Sequence, residues 1–166
     1  TRYRCLILDH DDTAVDSTAS VHYPAHVRAM EVLRPGHRPV DLETWFAKNC
    51  SPGITAYLTD ELGLTPEEMA VEERIWREFT ARVVPHFFPG FLDALHAFQR
   101  RGGLVAVASH SDEPVIRGHY RAAANGRPVE PDLVFGWELG QELRKPNPYP
   151  VLETLRRFRL EPREVL

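Results

Sequence analysis

Cysteine is scarce: two in 166 residues, Cys5 in the first apolar run and Cys50 in a helical stretch. A pair so placed offers neither a disulfide framework nor a metal-type spacing, so a reducing cytoplasm is the expected compartment. Long hydrophobic runs are missing too. The N-terminal "TRYRCLILD" carries basic residues and then an apolar run, but Asp9 closes that run after four residues, too short for the core of a signal peptide. No other segment approaches a membrane span. Nor is there a basic block: 20 Lys and Arg against 24 Asp and Glu give a net charge of -4, which argues against nucleic acid as a partner. Internal repeats and low-complexity tracts are absent.

What remains is a globular composition, 43% hydrophobic over 166 residues, enough for one good core and a small inserted lobe. Leu6 to Leu8 form a continuous apolar run, the pattern of a strand covered on both faces. From Ser17 to about Phe87 the pattern is helical and contains no convincing strand. "YPAHVRAMEVL", "DLETWFAKN" and "GITAYLTDELG" are amphipathic pieces separated by Pro and Gly. In "TPEEMAVEERIWREFTARVV", Thr65 is an N-cap, Pro66 suits the first helical position and Glu68 completes a capping box; Met69, Trp76, Phe79 and Val83 mark one face, read as packing.

After "FFPG" helices and strands alternate. "FLDALHAFQRRG" is a helix stopped at Gly102, "LVAVAS" a buried strand, "PVIRGHYRAAANG" a helix and "DLVFG" a strand. "YPVLETLRRFRL" is a helix expected to turn Val151, Leu152, Leu155 and Phe158 inward, and "EPREVL" opens a further strand. The fold class is therefore α/β: a wound parallel sheet, Rossmann-like, with an inserted all-helical segment after its first strand. Such sheets place ligands beyond the carboxyl ends of their strands, where Asp9, Asp11 and Ser109 fall. The insert is expected to overhang that edge as a lid.

In "LILDHDDTAVDS" the first strand runs straight into Asp9, Asp11 and Asp12. Like charges this close repel one another, so folding alone does not account for them, whereas a cation, a phosphate or a proton-transfer task does. Two positions along an extended chain put the side chains of Asp9 and Asp11 on one side. That pair can supply an ionised nucleophile and a proton donor for phosphate-ester cleavage, and oxygen ligands for magnesium. By the same alternation His10 points away from the carboxylates, while His110 can reach a bound ligand. His22 and His26 have a helical spacing but lack the acidic partner of a zinc motif, and Pro24 lies between them; surface or packing roles are expected.

These residues carry a resemblance to the haloacid dehalogenase superfamily. Asp9-x-Asp11-x-Thr13 after an apolar strand resembles its first motif, "LVAVAS" ending in Ser109 its second, and Lys145 in "RKPNPYP" its third. Asp12 stands where many relatives have Gly and is assigned no catalytic role. The resemblance spans essentially the whole chain in order. It implies a core over Thr1 to Asp16 and Phe88 to Leu166 and a helical cap over Ser17 to Phe87. It also implies a magnesium-dependent phosphatase acting on a small phosphorylated metabolite through an aspartyl-phosphate, with Asp9 as nucleophile and Asp11 as acid and base. Thr13, Ser109, His110 and Lys145 would line the phosphate, and Asp9 and the Asp11 carbonyl would ligate Mg2+. Lys48, Asn49 and Ser51 of the cap loop "KNCSPG" would select the substrate. A fourth, acidic motif that completes the metal site is expected directly after "EPREVL", beyond Leu166; without it, magnesium binding and turnover should be weak. A phosphomutase of the same superfamily, a non-catalytic relative and a receiver-like phosphate-binding module are the alternatives. The motifs identify neither the substrate nor the oligomeric state.

Overall fold

The apolar run ahead of Asp9 is strand β1 (Cys5–Leu8), followed by the two-residue β2 (Val15–Asp16). The computed structural model describes residues 2–123 and 129–166, and the chain divides into two units, Ser17–Pro85 and the residues flanking it.

Within Ser17–Pro85, a π-helical turn (Thr18–His22) leads into α1 (Tyr23–Leu33), then α2 (Leu42–Cys50), the single turn α3 (Ile54–Ala56) with a π-helical continuation (Tyr57–Glu61), and α4 (Pro66–Thr80). Local chemistry starts these helices. Asp41 accepts from the Thr44 amide at the head of α2, and Thr65 and Glu68 form a reciprocal capping box at the head of α4. The core of this unit is Met30, Trp45, Tyr57, Leu58 and Leu64, with Met69 packed against it. His26 is buried and stacks on Trp45 with ring centroids 4.1 Å apart. Burial lowers its pKa to about 4, with His37 adding to the effect, so the ring is neutral. Trp76 Nε1 donates to His22 Nδ1 at 3.0 Å. Both histidines are thus packing residues.

The buried stripe of α4 differs from the expected one. Met69, Trp76 and Phe79 are half-buried, whereas Ile75, Thr80 and Glu72 are buried. An acidic residue on the inner face escapes a periodicity count built on apolar side chains. Burial, and secondarily the neighbouring Glu73, pushes the Glu72 carboxyl up to about 7.

The flanking unit continues with β3 (His86–Phe87), α5 (Phe91–Gln99), β4 (Leu104–Ala108), α6 (Glu113–Ala123), β5 (Leu133–Phe135), a 3-10 turn (Trp137–Leu139), α7 (Tyr149–Phe158) and a last 3-10 turn (Pro162–Glu164). β3 corrects the expectation of no strand up to Phe87: it pairs antiparallel with β2 through Val15↔Phe87 and Asp16↔His86. Two residues are too few to display a period. The helix expected over 114–126 is α6 as far as Ala123; residues 124–126 lie outside the described residues.

The main sheet is parallel in the order β1-β4-β5, with Leu8 opposite Val107 and Ala108 opposite Phe135. Alternation along β4 sorts its side chains by face. Val105 and Val107 join Leu6, Leu8, Leu95, Phe98, Ile116 and Tyr120 on one side, and Ala106 and Ala108 join Ile7, Phe135, Tyr149 and Phe158 on the other. Burial on both faces is why β1 and β4 read as unbroken apolar runs. At the outer edge of β1, Cys5 bridges Val165 in parallel and the Leu166 carbonyl accepts from Ile7 N, so where "EPREVL" was expected to open a strand there is a single isolated bridge after a 3-10 turn.

α7 corrects a second expectation. Val151 and Leu152 are 44% and 58% exposed, while Pro150, Glu153 and Thr154 are buried. Thr154 is satisfied by the Pro150 carbonyl at 2.7 Å, and Glu153 by Arg156 and Arg157. Polar groups with partners on their own helix can be buried at little cost, and that shifts the inward face by about one position.

Candidate active site

The site is assembled where β1 and β4 end. Asp9 is the first residue past β1, and its Oδ1 accepts from Lys145 Nζ at 2.7 Å and from the His10 amide at 2.7 Å. Asp9 Oδ2 has no hydrogen-bond partner among the described residues, and the side chain is 42% exposed. Lys145 reaches it from the turn ahead of α7. His110 Nε2 donates to the Lys145 carbonyl at 3.0 Å, so His110 braces the backbone that carries the lysine.

After Asp9 the chain reverses sharply. The His10 carbonyl accepts from the amides of Thr13, Ala14 and Val15, and Asp12 takes a left-handed conformation with φ 54°. Aspartate is one of the few residues other than glycine that visit this region readily, which accounts for an aspartate at this turn. The reversal brings Asp11 against β4. Asp11 Oδ2 accepts from Ser109 Oγ at 2.9 Å and from Ser111 Oγ at 2.8 Å, and Ser111 N donates to Ser109 Oγ at 3.0 Å.

Two sets of direct hydrogen bonds thus meet at one end of the sheet, Asp9 with Lys145 and Asp11 with Ser109, each joining residues about a hundred or more positions apart in sequence. Thr13 is exposed, and its hydroxyl has no partner among the described residues. His10 turns into the core: it is buried, stacks on His119, and its Nε2 lies 3.1 Å from His119 Nδ1. One member of such a pair is neutral, since one nitrogen must accept. Lys48, Asn49 and Ser51 belong to the helical unit. There Lys48 Nζ donates to Glu61 Oε1 at 2.7 Å, Asn49 Nδ2 to the Trp45 carbonyl at 3.4 Å and Ser51 N to the Ala47 carbonyl at 3.0 Å. Ser111 lies outside the residues that the motifs single out; its mark in the sequence is a second hydroxyl in "SHSD", two residues past the first.

Among the described residues no group of three or more His, Cys, Asp or Glu could hold a metal ion. The donor chemistry nonetheless fits magnesium. That ion takes oxygen ligands, commonly one or two carboxylates completed by waters and substrate phosphate, and Asp9 presents an exposed carboxylate oxygen beside a lysine.

No family model matches the sequence, and no curated protein matches it. Solved structures do match. A predicted phosphoglycolate phosphatase from Haemophilus somnus superposes with TM-score 0.72 at 18% identity, covering 99% of this chain and 76% of that one. CbbY from Rhodobacter sphaeroides, in complex with xylulose-(1,5)bisphosphate, gives TM-score 0.76 at 18% identity over 99% and 76% of the two chains. A haloacid dehalogenase-like hydrolase from Bacteroides fragilis gives 0.75 at 18% identity over 98% and 76%. The chain therefore has the fold of the haloacid dehalogenase-like hydrolases. No helix among the described residues is long and apolar enough to cross a membrane.

Proposed function

We propose that this protein hydrolyses small phosphate monoesters, with Asp9 as nucleophile and Asp11 as general acid and base. The observation that carries the reading is the hydrogen-bonded set itself: Lys145 on Asp9 Oδ1, and Ser109 and Ser111 on Asp11 Oδ2, at the carboxyl ends of β1 and β4. The Asp9 carboxylate would attack phosphorus while the bond to the leaving oxygen breaks and Asp11 delivers a proton to that oxygen. Asp11 would then take a proton from water as it attacks the aspartyl-phosphate, returning free phosphate and the Asp9 carboxylate. The Lys145 ammonium offsets the charge of the phosphoryl oxygens, and Ser109 supplies a hydrogen bond to one of them.

Asp9, with the main-chain carbonyl of Asp11, would hold a magnesium ion. When bound, such an ion neutralises phosphoryl charge and orients the ester. The fold neighbours support a small phosphorylated metabolite as substrate, one being a predicted phosphoglycolate phosphatase and another a complex with a sugar bisphosphate. Substrate selection is assigned to the helical unit through Lys48, Asn49 and Ser51. Exchanging residues 48–53 should change the preference among esters while sparing a small activated one.

The decisive experiment is phosphate release from a panel of monoesters, with and without magnesium, by the native chain and by Asp9→Asn. The variant should lose turnover and should no longer bind beryllium fluoride, an acyl-phosphate mimic. Near-normal turnover by Asp9→Asn would overturn the assignment.

A further inference from the structure

Two hydroxyls, those of Ser109 and Ser111, converge on a single oxygen of Asp11, and only one of them is needed elsewhere. We propose that Ser111 is a positioning residue that holds the Asp11 carboxylate in its working orientation while Ser109 binds the phosphoryl group. The inference rests on the phosphatase reading above and adds to it a residue with a distinct task.

The backbone around Ser111 explains why it can serve as the fixed point. Ser111 is 6% exposed. Its carbonyl accepts from Trp137 N at 3.0 Å, just past β5. Gly136, which precedes that amide, has room for nothing larger: a Cβ there would lie 2.7 Å from the Ser111 carbonyl oxygen and 2.6 Å from Glu113 N. Glu138, on the same turn, accepts from Glu113 N at 3.0 Å and so closes the head of α6, two residues beyond Ser111. The Ser111 main chain is therefore clamped between the end of β5 and the start of α6, and its hydroxyl is delivered to Asp11 Oδ2 at 2.8 Å.

Ser109 is differently placed. Its Oγ accepts from Ser111 N and donates to Asp11, and a hydroxyl has one proton to give. Once a phosphoryl oxygen takes that proton, Ser109 stops holding Asp11. The terminal torsion of an aspartate has broad wells, so the direction of its Oδ2 is set by the donors that engage it. Ser111 keeps Oδ2 engaged throughout, so the proton for the leaving oxygen is delivered from a fixed direction, the kind of orientation on which proton transfer depends. Ser111 itself need not touch the substrate.

The test compares the native chain with Ser111→Ala, Ser111→Thr and Asp9→Asn. It uses phosphoglycolate as the alkyl ester and 2,4-dinitrophenyl phosphate as an ester whose leaving group departs without a proton. Ser111→Ala should lower kcat on the alkyl ester roughly 10- to 100-fold, the scale of one hydrogen bond to a charged group. KM should stay within about twofold and kcat on the activated ester should fall far less. Ser111→Thr keeps the hydroxyl and should restore most of the lost rate. Beryllium fluoride should bind Ser111→Ala as it binds the native chain, which separates a misaimed Asp11 from a collapsed phosphate site. Equal losses on both esters, or no loss on the alkyl ester, would overturn the role of Ser111. Retention of turnover by Asp9→Asn, or failure of the native chain to cleave either ester, would instead remove the reading on which it rests.

Discussion

Replacing Glu72 with Gln isolates the cost of one buried charge. Glu72 lies on the inner face of α4, is 9% exposed, and has its carboxyl pushed up to about 7 by burial and then by Glu73. In the folded protein the proton is held more tightly than in the unfolded chain, so folding is favoured by acid. The stabilising effect of the protonated form is fully present below 4.5, the ordinary value, and is lost as pH rises through about 7. At about 1.4 kcal/mol per pH unit, the gap from 4.5 to about 7 amounts to roughly 3 kcal/mol above neutrality. Gln has nearly the same volume and helix propensity as Glu and cannot ionise, so Glu72→Gln should behave like the protonated form at every pH.

Urea unfolding of both proteins at about pH 5 and pH 8.5 reads the difference. By linkage, the variant should lead by roughly 1 kcal/mol or less at the lower pH and by roughly 3 kcal/mol at the higher. Other groups titrate alike in both proteins and cancel in the comparison. A lead of the same size at both pH values would mean that Glu72 is solvated or neutralised when charged, and the burial argument would fail.

Lys145→Met should reduce turnover roughly 100- to 1,000-fold, the scale for removing one preorganised donor at a reacting oxyanion. It should change stability by less than about 1 kcal/mol, because the pair with Asp9 is 36% and 42% exposed; a stability loss with turnover intact would make the lysine structural. Thr65→Ala removes the N-cap of α4 and should cost about 1 kcal/mol in urea unfolding, with no change showing that the helix end is indifferent to its cap. Gly136→Ala forces a Cβ within 2.7 Å of the Ser111 carbonyl oxygen and should lower the melting temperature by several degrees, consistent with roughly 1–3 kcal/mol of overpacking. A native melting temperature would show that the clamp around Ser111 is soft.

The sheet was legible where burial is two-sided. β1 and β4 are apolar because both faces are covered, and the helices with complete start signals, such as α4 with Thr65, Pro66 and Glu68, begin where those residues place them. Legibility failed where a polar side chain took an inward position. Glu72 replaces an apolar member of the α4 stripe, and Glu153 and Thr154 replace two on α7, the latter pair satisfied by Arg156, Arg157 and the Pro150 carbonyl. β2 and β3 were invisible because two residues show no alternation. At the site, residue types and their order along the chain singled out Asp9, Asp11, Ser109 and Lys145. Ser111 required three dimensions, since its importance depends on where the end of β5 meets it.

Two carboxylates are held near one another on this turn by the residue between them. His10 stands between them, and its two ends have different tasks. Its ring is buried against Phe87, His119 and Tyr120, so the residue cannot shift without opening the core. Its carbonyl gathers three successive amides, those of Thr13, Ala14 and Val15, which fixes the reversal that Asp12 completes with φ 54°. Asp9 and Asp11 are therefore neighbours of an immobile residue, one held by Lys145 and the other by two serines. Each carboxylate meets donors suited to its charge before any ligand arrives. The repulsion that makes the cluster unexpected in a core strand is thereby offset by groups from the ends of β4 and the turn before α7. Parallel strands bring those groups to the same edge because all of them point their carboxyl ends the same way.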